Sequence, residues 1–78
     1  MQIEIITPDT TLYQGEGTYV FLPGTDGSLG IMNNHAPLIS SLKKGILRIK
    51  DQGGKELKFE VNGGTVEVKD NRVVVLAE

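Results

Sequence analysis

The reactive material in this chain is scarce. His35 is the only histidine and there is no cysteine, which excludes a disulfide framework, a thiolate metal site and any site built from several histidines of this chain. A lone imidazole holds no divalent ion tightly, and no other ligand clusters beside it in the sequence. Ser40 and Ser41 could act as nucleophiles, but neither lies in a Gly-x-Ser-x-Gly elbow, and their only possible histidine partner is His35. Gly24-x-x-Gly27-x-x-Gly30 is glycine-rich yet lacks the Gly-Lys-Ser/Thr ending of a phosphate-cradling loop. Asp9, Asp26, Asp51 and Asp70 stand at turn positions, where an Asp side chain bonds nearby backbone. Lys43-Lys44, ahead of Gly45, are solvated residues leading into a strand rather than a catalytic amine. His35 has two readings: a turn histidine bonding local backbone between Asn34 and Pro37, or an interface residue displayed beside Ile31 and Met32. No catalytic residue, metal or cofactor is expected.

The elements that would carry these residues are strands. Gln2-Ile3-Glu4-Ile5-Ile6-Thr7 alternates polar and apolar residues and then meets Pro8-Asp9, a strand followed by a turn. Leu12 to Leu22 is rich in Thr, Tyr, Val and Phe, with Gly15 and Gly17 as bend or bulge points. Pro23 to Gly27 is a loop, followed by the short run Ser28 to Met32 and the irregular stretch Asn33 to Pro37. Leu38 to Leu42 fits a strand or one helical turn equally well. Ile46–Lys50 and Leu57–Val61 flank a hairpin loop at Asp51–Lys55, and Asn62-Gly63-Gly64 turns the chain into Thr65–Lys69. Asp70-Asn71 suits a two-residue hairpin turn, because both residues tolerate φ > 0. Arg72-Val73-Val74-Val75-Leu76 reads as a strand covered on both sides.

No window sustains a helical period, so eight to ten short antiparallel strands are expected. Leu57, Phe59 and Val61 share one face of their strand and Lys58 and Glu60 the other; Val66 and Val68 oppose Thr65, Glu67 and Lys69 in the same way. A one-faced sheet must cover its apolar side, and with no helix available only a second sheet can. The fold class is therefore all-β, a flattened sandwich or barrel in a single domain over residues 1–78. A chain of 78 residues exposes roughly 12,300 Å² unfolded and roughly 4,700 Å² folded, enough for a small core and too little for a cleft between two domains. Ten acids against eight bases give a net charge of −2, so nothing advertises nucleic acid. With no apolar run of membrane-spanning length and no basic leader at Met1-Gln2-Ile3-Glu4, the chain reads as soluble and intracellular.

Several segments together carry a resemblance. Pro23-Gly24-Thr25-Asp26-Gly27-Ser28-Leu29-Gly30-Ile31, followed by His35-Ala36-Pro37-Leu38, resembles the N-terminal domain of the epsilon subunit of F-type ATP synthases. Thr7-Pro8-Asp9 with Leu12-Tyr13-x-Gly15-Glu16 resembles the family's opening strand and turn. Leu42-Lys43-x-Gly45-x-Leu47-x-Ile49 resembles its middle. Gly63-Gly64-x-Val66-Glu67-Val68 and Asn71-x-Val73-x-Val75-Leu76-Ala77-Glu78 resemble its end. The likeness spans essentially the whole chain in order, and the Leu-Gly-Ile…His-Ala-Pro-Leu block is its specific part.

The resemblance implies a ten-stranded β-sandwich and a non-catalytic role in the central stalk. There the domain grips the foot of the gamma subunit and rests on the c-ring, so that proton-driven rotation turns the stalk as one body. By carry-over, Asp26, Ser28 and Leu29 would face the c-ring, and Thr7, Ile31, Met32 and His35 would lie at or near gamma. The implied location is peripheral, on the cytoplasmic face of the bacterial plasma membrane, with membrane association only through the complex and no cofactor. Many relatives carry an acid where Ser28 stands, which implies a weaker charged contact to the ring here, and Pro-Gly where Asn33-Asn34 stand, so the family's loop shape is not carried over to that stretch. Most also continue past the Val-Leu-Ala-Glu ending into a helical hairpin that can inhibit ATP hydrolysis and in some binds ATP; neither property carries over to these residues.

Two rival readings come from other classes. A lipoyl or biotinyl carrier is also a flattened sandwich of this length, but it displays one lysine in a tight hairpin, typically Met-Lys-Met or Asp-Lys-Ala, and neither tripeptide occurs. A cold-shock-like nucleic-acid binder needs exposed aromatics on a basic face, against which stand only Tyr13, Tyr19, Phe21 and Phe59 and a net negative charge.

Overall fold

Alternation does most of the building. In the computed structural model, which describes residues 1–78, eight strands run in the order β1 (Gln2–Ile6), β2 (Thr11–Gly24), β3 (Gly27–Met32), β4 (Leu38–Leu42), β5 (Gly45–Asp51), β6 (Glu56–Val61), β7 (Gly64–Lys69) and β8 (Arg72–Ala77), with no helix. Hydrogen bonding links them as β1-β8-β7-β4-β2-β5-β6, with β3 on β2 and a second pairing between β1 and β2. Leu38–Leu42 is thus a strand, paired antiparallel with β7. The expectation of a wholly antiparallel fold needs one correction: β1 and β8 pair in parallel. Parallel neighbours need a long crossover, and these are the first and last strands, so the rest of the chain supplies it.

β2 turns this continuous sheet into two layers. Its fourteen residues would span about 46 Å if straight, whereas the molecule measures 27 × 24 × 18 Å, so the strand must bend. Thr11–Glu16 pair with β1, Gly17–Phe21 pair with β5, and the register shifts between Gly17 and Tyr19. Gly17 is required at that corner. A Cβ there would collide with Ile3 Cδ1 and lie 2.9 Å from the Lys50 carbonyl oxygen. One layer is then β1-β8-β7-β4 and the other β3-β2-β5-β6, a β-sandwich sharing β2.

Between the layers lies an entirely apolar core that includes Ile3, Ile5, Val20, Leu22, Ile31, Leu47, Ile49, Val66, Val68, Val73 and Val75, with no buried polar side chain. Each such side chain stabilises the fold by about 1.5–3 kcal/mol when fully buried. Tyr13 and Phe59 close over it edge to face, ring centroids 6.1 Å apart. The accessible surface is 4676 Å², close to the roughly 4,700 Å² that chain mass predicts. The chain start is tied in as well: the Met1 ammonium donates to the Gly17 carbonyl at 2.9 Å and to Asn33 Oδ1 at 2.6 Å, with the Glu16 carboxylate 3.4 Å away.

The turns follow their residues. Asp70 and Asn71 have φ of 52° and 58°, the left-handed pair a type I′ hairpin turn requires. Asp51 Oδ1 accepts the Gly53 and Lys55 N–H groups, each at 2.9 Å. The loop expected at Pro23–Gly27 is shorter, because β2 continues to Gly24 and the hairpin closes on Thr25-Asp26. Pro23 is tolerated in the strand because its carbonyl accepts the Lys43 N–H at 2.8 Å and no N–H is demanded of it. The second correction concerns β8. Val73, Val75 and Ala77 are buried, but Leu76 is exposed and Val74 only half-buried, so one face of the strand is uncovered.

Candidate functional site

The imidazole of His35 and the hydroxyl of Ser40 are both engaged with neighbouring backbone. The His35 ring bonds the Ala36 carbonyl through Nδ1 at 2.7 Å, while the His35 backbone N–H donates to the Met32 carbonyl at 3.2 Å. Ser40 Oγ donates to the Ser41 carbonyl at 3.2 Å, so histidine and serine are not poised toward one another. Beside His35, Asn34 adopts a left-handed φ of 62° and donates its N–H to Asn71 Oδ1 at 2.7 Å. No three His, Cys, Asp or Glu side chains come together in a way that could hold a metal ion. The two-residue hairpin tips are Thr25-Asp26 and Asp70-Asn71; neither displays the lysine of a carrier domain.

What the fold does display is an uncovered face. Register places Ile39, Glu67, Val74 and Glu4 in one row across β4, β7, β8 and β1, and Ser41, Thr65, Leu76 and Ile6 in the next. Ile39 is 76 % exposed and Leu76 54 %. They line a shallow depression of about 200 Å³ with Thr65 and Val74, and Leu76 continues into a second lined also by Ile6, Thr7 and Pro8. Around this apolar strip stand Glu4, Glu67, Lys69 and Arg72, with Arg72 4.0 Å from Glu4. An apolar strip with a polar rim is the form of a protein contact surface.

Of the sequence-predicted residues, Asp26, Ser28 and Leu29 lie on one hairpin, β2–β3, with Asp26 and Ser28 exposed and Leu29 half-buried against the core. Thr7 follows Ile6 at one end of the apolar strip, where its hydroxyl accepts the Thr10 N–H at 3.1 Å and anchors the turn. His35 precedes β4 near Asn71, at the other end. Ile31 is 1 % exposed and belongs to the core, since its strand position alternates inward between Gly30 and Met32. Met32 is 63 % exposed but lies opposite Tyr19, in the layer away from the strip. Beside it, Arg48 sits over the Phe21 ring at 5.8 Å in a shallow hollow shared with Tyr19, Lys50 and Glu56. Sequence reasoning missed Ile39, Val74 and Leu76. A signal existed for two of them: Val74 and Leu76 share strand parity with Arg72, which must face water.

Fold and surface together define a small all-β sandwich with an uncovered apolar strip on one layer. The whole chain, residues 1–78, matches the family described as ATP synthase, Delta/Epsilon chain, beta-sandwich domain, and belongs to it. It is 48 % identical over 77 residues to the ATP synthase epsilon chain of Desulforamulus reducens, covering 99 % of this chain and 58 % of that one. To the ATP synthase epsilon chain of Desulforudis audaxviator it is 50 % identical over 76 residues, covering 97 % and 55 %. The chain therefore spans somewhat over half the length of these relatives. In fold it is similar to a chain in the Euglena gracilis mitochondrial ATP synthase OSCP/F1/c-ring structure, with TM-score 0.90, 22 % identity and coverage of 96 % of this chain and 48 % of that one. A chain in the Tetrahymena thermophila mitochondrial ATP synthase central stalk/c-ring structure matches with TM-score 0.85, 24 % identity and coverage of 99 % and 62 %.

Proposed function

We propose that this domain is a non-catalytic coupling body of the ATP synthase rotor, seated between the gamma subunit and the c-ring. The observation that carries the reading is the contiguous apolar strip of Ile39, Val74 and Leu76 on the outer face of the β1-β8-β7-β4 layer. Gamma seats on that strip, bounded by Thr7 at one end and His35 at the other. The β2–β3 hairpin, with Asp26, Ser28 and Leu29, meets the polar loops of the c-ring, and Met32 goes with the hairpin rather than with the strip. Torque transmission needs a stiff body with two contact surfaces and no reactive centre, and a short-looped sandwich with a dry core supplies the stiffness. The domain would sit at the cytoplasmic face of a bacterial membrane through these partners alone. Co-purification with the cognate gamma subunit tests the reading. A stable complex is expected, weakened at least tenfold by Ile39→Ser with Leu76→Ser; no complex with well-folded gamma would overturn it.

A further inference from the structure

We propose that Asn62 is a modification site, where the side-chain amide is lost spontaneously to give aspartate and isoaspartate, and that the isoaspartyl form loosens the join between β6 and β7. The site needs no partner and is independent of the rotor reading above. The chain has four asparagines, Asn33, Asn34, Asn62 and Asn71, and only Asn62 precedes a glycine. Deamidation begins when the backbone nitrogen of the following residue attacks the asparagine Cγ. A glycine in that place has no Cβ to obstruct the approach and lets the backbone turn into it.

The fold restrains the other three asparagines and leaves Asn62 unrestrained. For Asn33 the attacking nitrogen would be that of Asn34, which donates to Asn71 Oδ1 at 2.7 Å, and Asn33 Oδ1 itself accepts from the Met1 ammonium at 2.6 Å. For Asn34 it would be that of His35, which donates to the Met32 carbonyl at 3.2 Å. The Asn71 side chain is held by the Asn34 N–H. Asn62 is exposed and lies in the bend between β6 and β7, outside both strands. That bend is fixed from its two ends: the Asn62 N–H donates to the Glu78 carbonyl at 3.4 Å, and the Gly63 carbonyl accepts the Glu78 N–H at 3.1 Å. The peptide unit in between is different, because neither the Asn62 carbonyl nor the Gly63 N–H is hydrogen-bonded within the protein. This is the unit that must rotate to carry the Gly63 nitrogen onto Cγ, and no backbone hydrogen bond has to open first.

The chemistry balances with water alone. The Gly63 nitrogen bonds to Asn62 Cγ, the Cγ–Nδ2 bond breaks, and ammonia leaves with the proton of the Gly63 N–H. Water then opens the resulting succinimide ring. Opening at Cγ gives aspartate, whereas opening at the backbone carbonyl carbon of residue 62 gives isoaspartate, with the main chain running through Cγ. Either product adds one negative charge to the formal net charge of −2, on a residue whose N–H lies against Glu78. Isoaspartate also inserts one more atom into the backbone between Val61, held opposite Gly45, and Gly64, held opposite Leu42 and Ala77. Gly64 has no room to absorb it by shifting, since even a Cβ there would collide with the Leu76 carbonyl oxygen.

The test is incubation of the wild-type chain in warm, mildly alkaline buffer, folded and unfolded in guanidinium chloride, read by peptide mapping with mass spectrometry and by isoaspartyl-specific carboxyl methylation. In the folded chain Asn62 is expected to deamidate at least tenfold faster than Asn33, Asn34 or Asn71, and no more than threefold slower than in the unfolded chain. A greater slowing on folding means that the bend shields the amide and overturns the proposal, as does a rate no faster than that of the other three. Asn62→Gln, whose longer side chain forms the ring far more slowly, is expected to abolish the methylation. Methylation that persists in that variant assigns the isoaspartate to another position, Asp26 before Gly27 being the first to examine, and overturns the site. For the consequence, a synthetic chain carrying isoaspartate in place of Asn62 is compared with Asn62→Asp, which has the same charge without the inserted atom. The isoaspartyl chain is expected to melt at least about 4 °C lower, and equal melting overturns the loosening.

Discussion

β7 and β8 are neighbours with the same inner face and opposite outer ones. Val66 and Val68 of β7 and Val73 and Val75 of β8 all point into the core. Outward, β7 shows Thr65, Glu67 and Lys69, as a solvated strand does, whereas β8 shows Val74 and Leu76 after Arg72. Because Glu67 lies opposite Val74 and Thr65 opposite Leu76, the apolar strip cannot be blamed on local strand propensity alone. The same layer tolerates polar residues one strand away. What distinguishes β8 is a surface suited to being covered, and the inner and outer faces of this layer should respond to substitution in opposite ways.

The sharpest test of the contrast lies on the inner face. Ile5 is fully buried and stands beside Val75 in the parallel β1–β8 pair. Ile5→Ala is expected to destabilise the fold by about 2–5 kcal/mol, from lost burial plus the cavity left behind. Against a total stability of about 4–12 kcal/mol for a chain of this length, that is a large fraction. Urea denaturation reads it as a lowered midpoint with an unchanged slope. A loss below about 1 kcal/mol would mean that the inner face is not the packed core described here.

A smaller effect is expected at the corner that brings the two layers together. Gly17→Ala places a methyl against Ile3 and the Lys50 carbonyl, and the backbone oxygen cannot move without disturbing the β2–β5 ladder. Overpacking of this kind costs about 1–3 kcal/mol, measurable by the same denaturation. If Gly17→Ala is neutral, the bend in β2 has slack, and the close approach of the layers is not what fixes the inner face.

How much of this was legible in the sequence follows from the same comparison. The hairpins at Asp51–Lys55 and Asp70-Asn71 and the inward faces of β6 and β7 followed from alternation and turn chemistry, which are local. The parallel β1–β8 pair was not legible, because no local pattern records which distant strand lies alongside. The state of β8 failed for a related reason: an unbroken apolar run looks the same whether water, core or a partner lies on its second side. Leu29 and Ile31 share one face of β3, and only the packed structure separates them, with Ile31 in the core and Leu29 half-buried at its edge. Expectations about contact residues came only from the resemblance, and the apolar strip emerged from register.

The smallest expected stability change carries the most information about function. Ile39 is 76 % exposed and lies in a row with Glu67 and Val74, so Ile39→Ser removes little buried area. An exposed substitution of this kind changes stability by within about 0.5 kcal/mol, and denaturation should show a nearly unchanged midpoint. The same variant is expected to weaken capture of gamma, because the lost side chain belongs to the strip proposed as the seat of gamma. A fold destabilised as much as in Ile5→Ala would place Ile39 in the core and erase the difference between the two faces. An unchanged fold with unchanged capture would instead move the gamma contact off this strip. Only an intact fold with impaired capture keeps the uncovered face of β8 as a surface built for a partner.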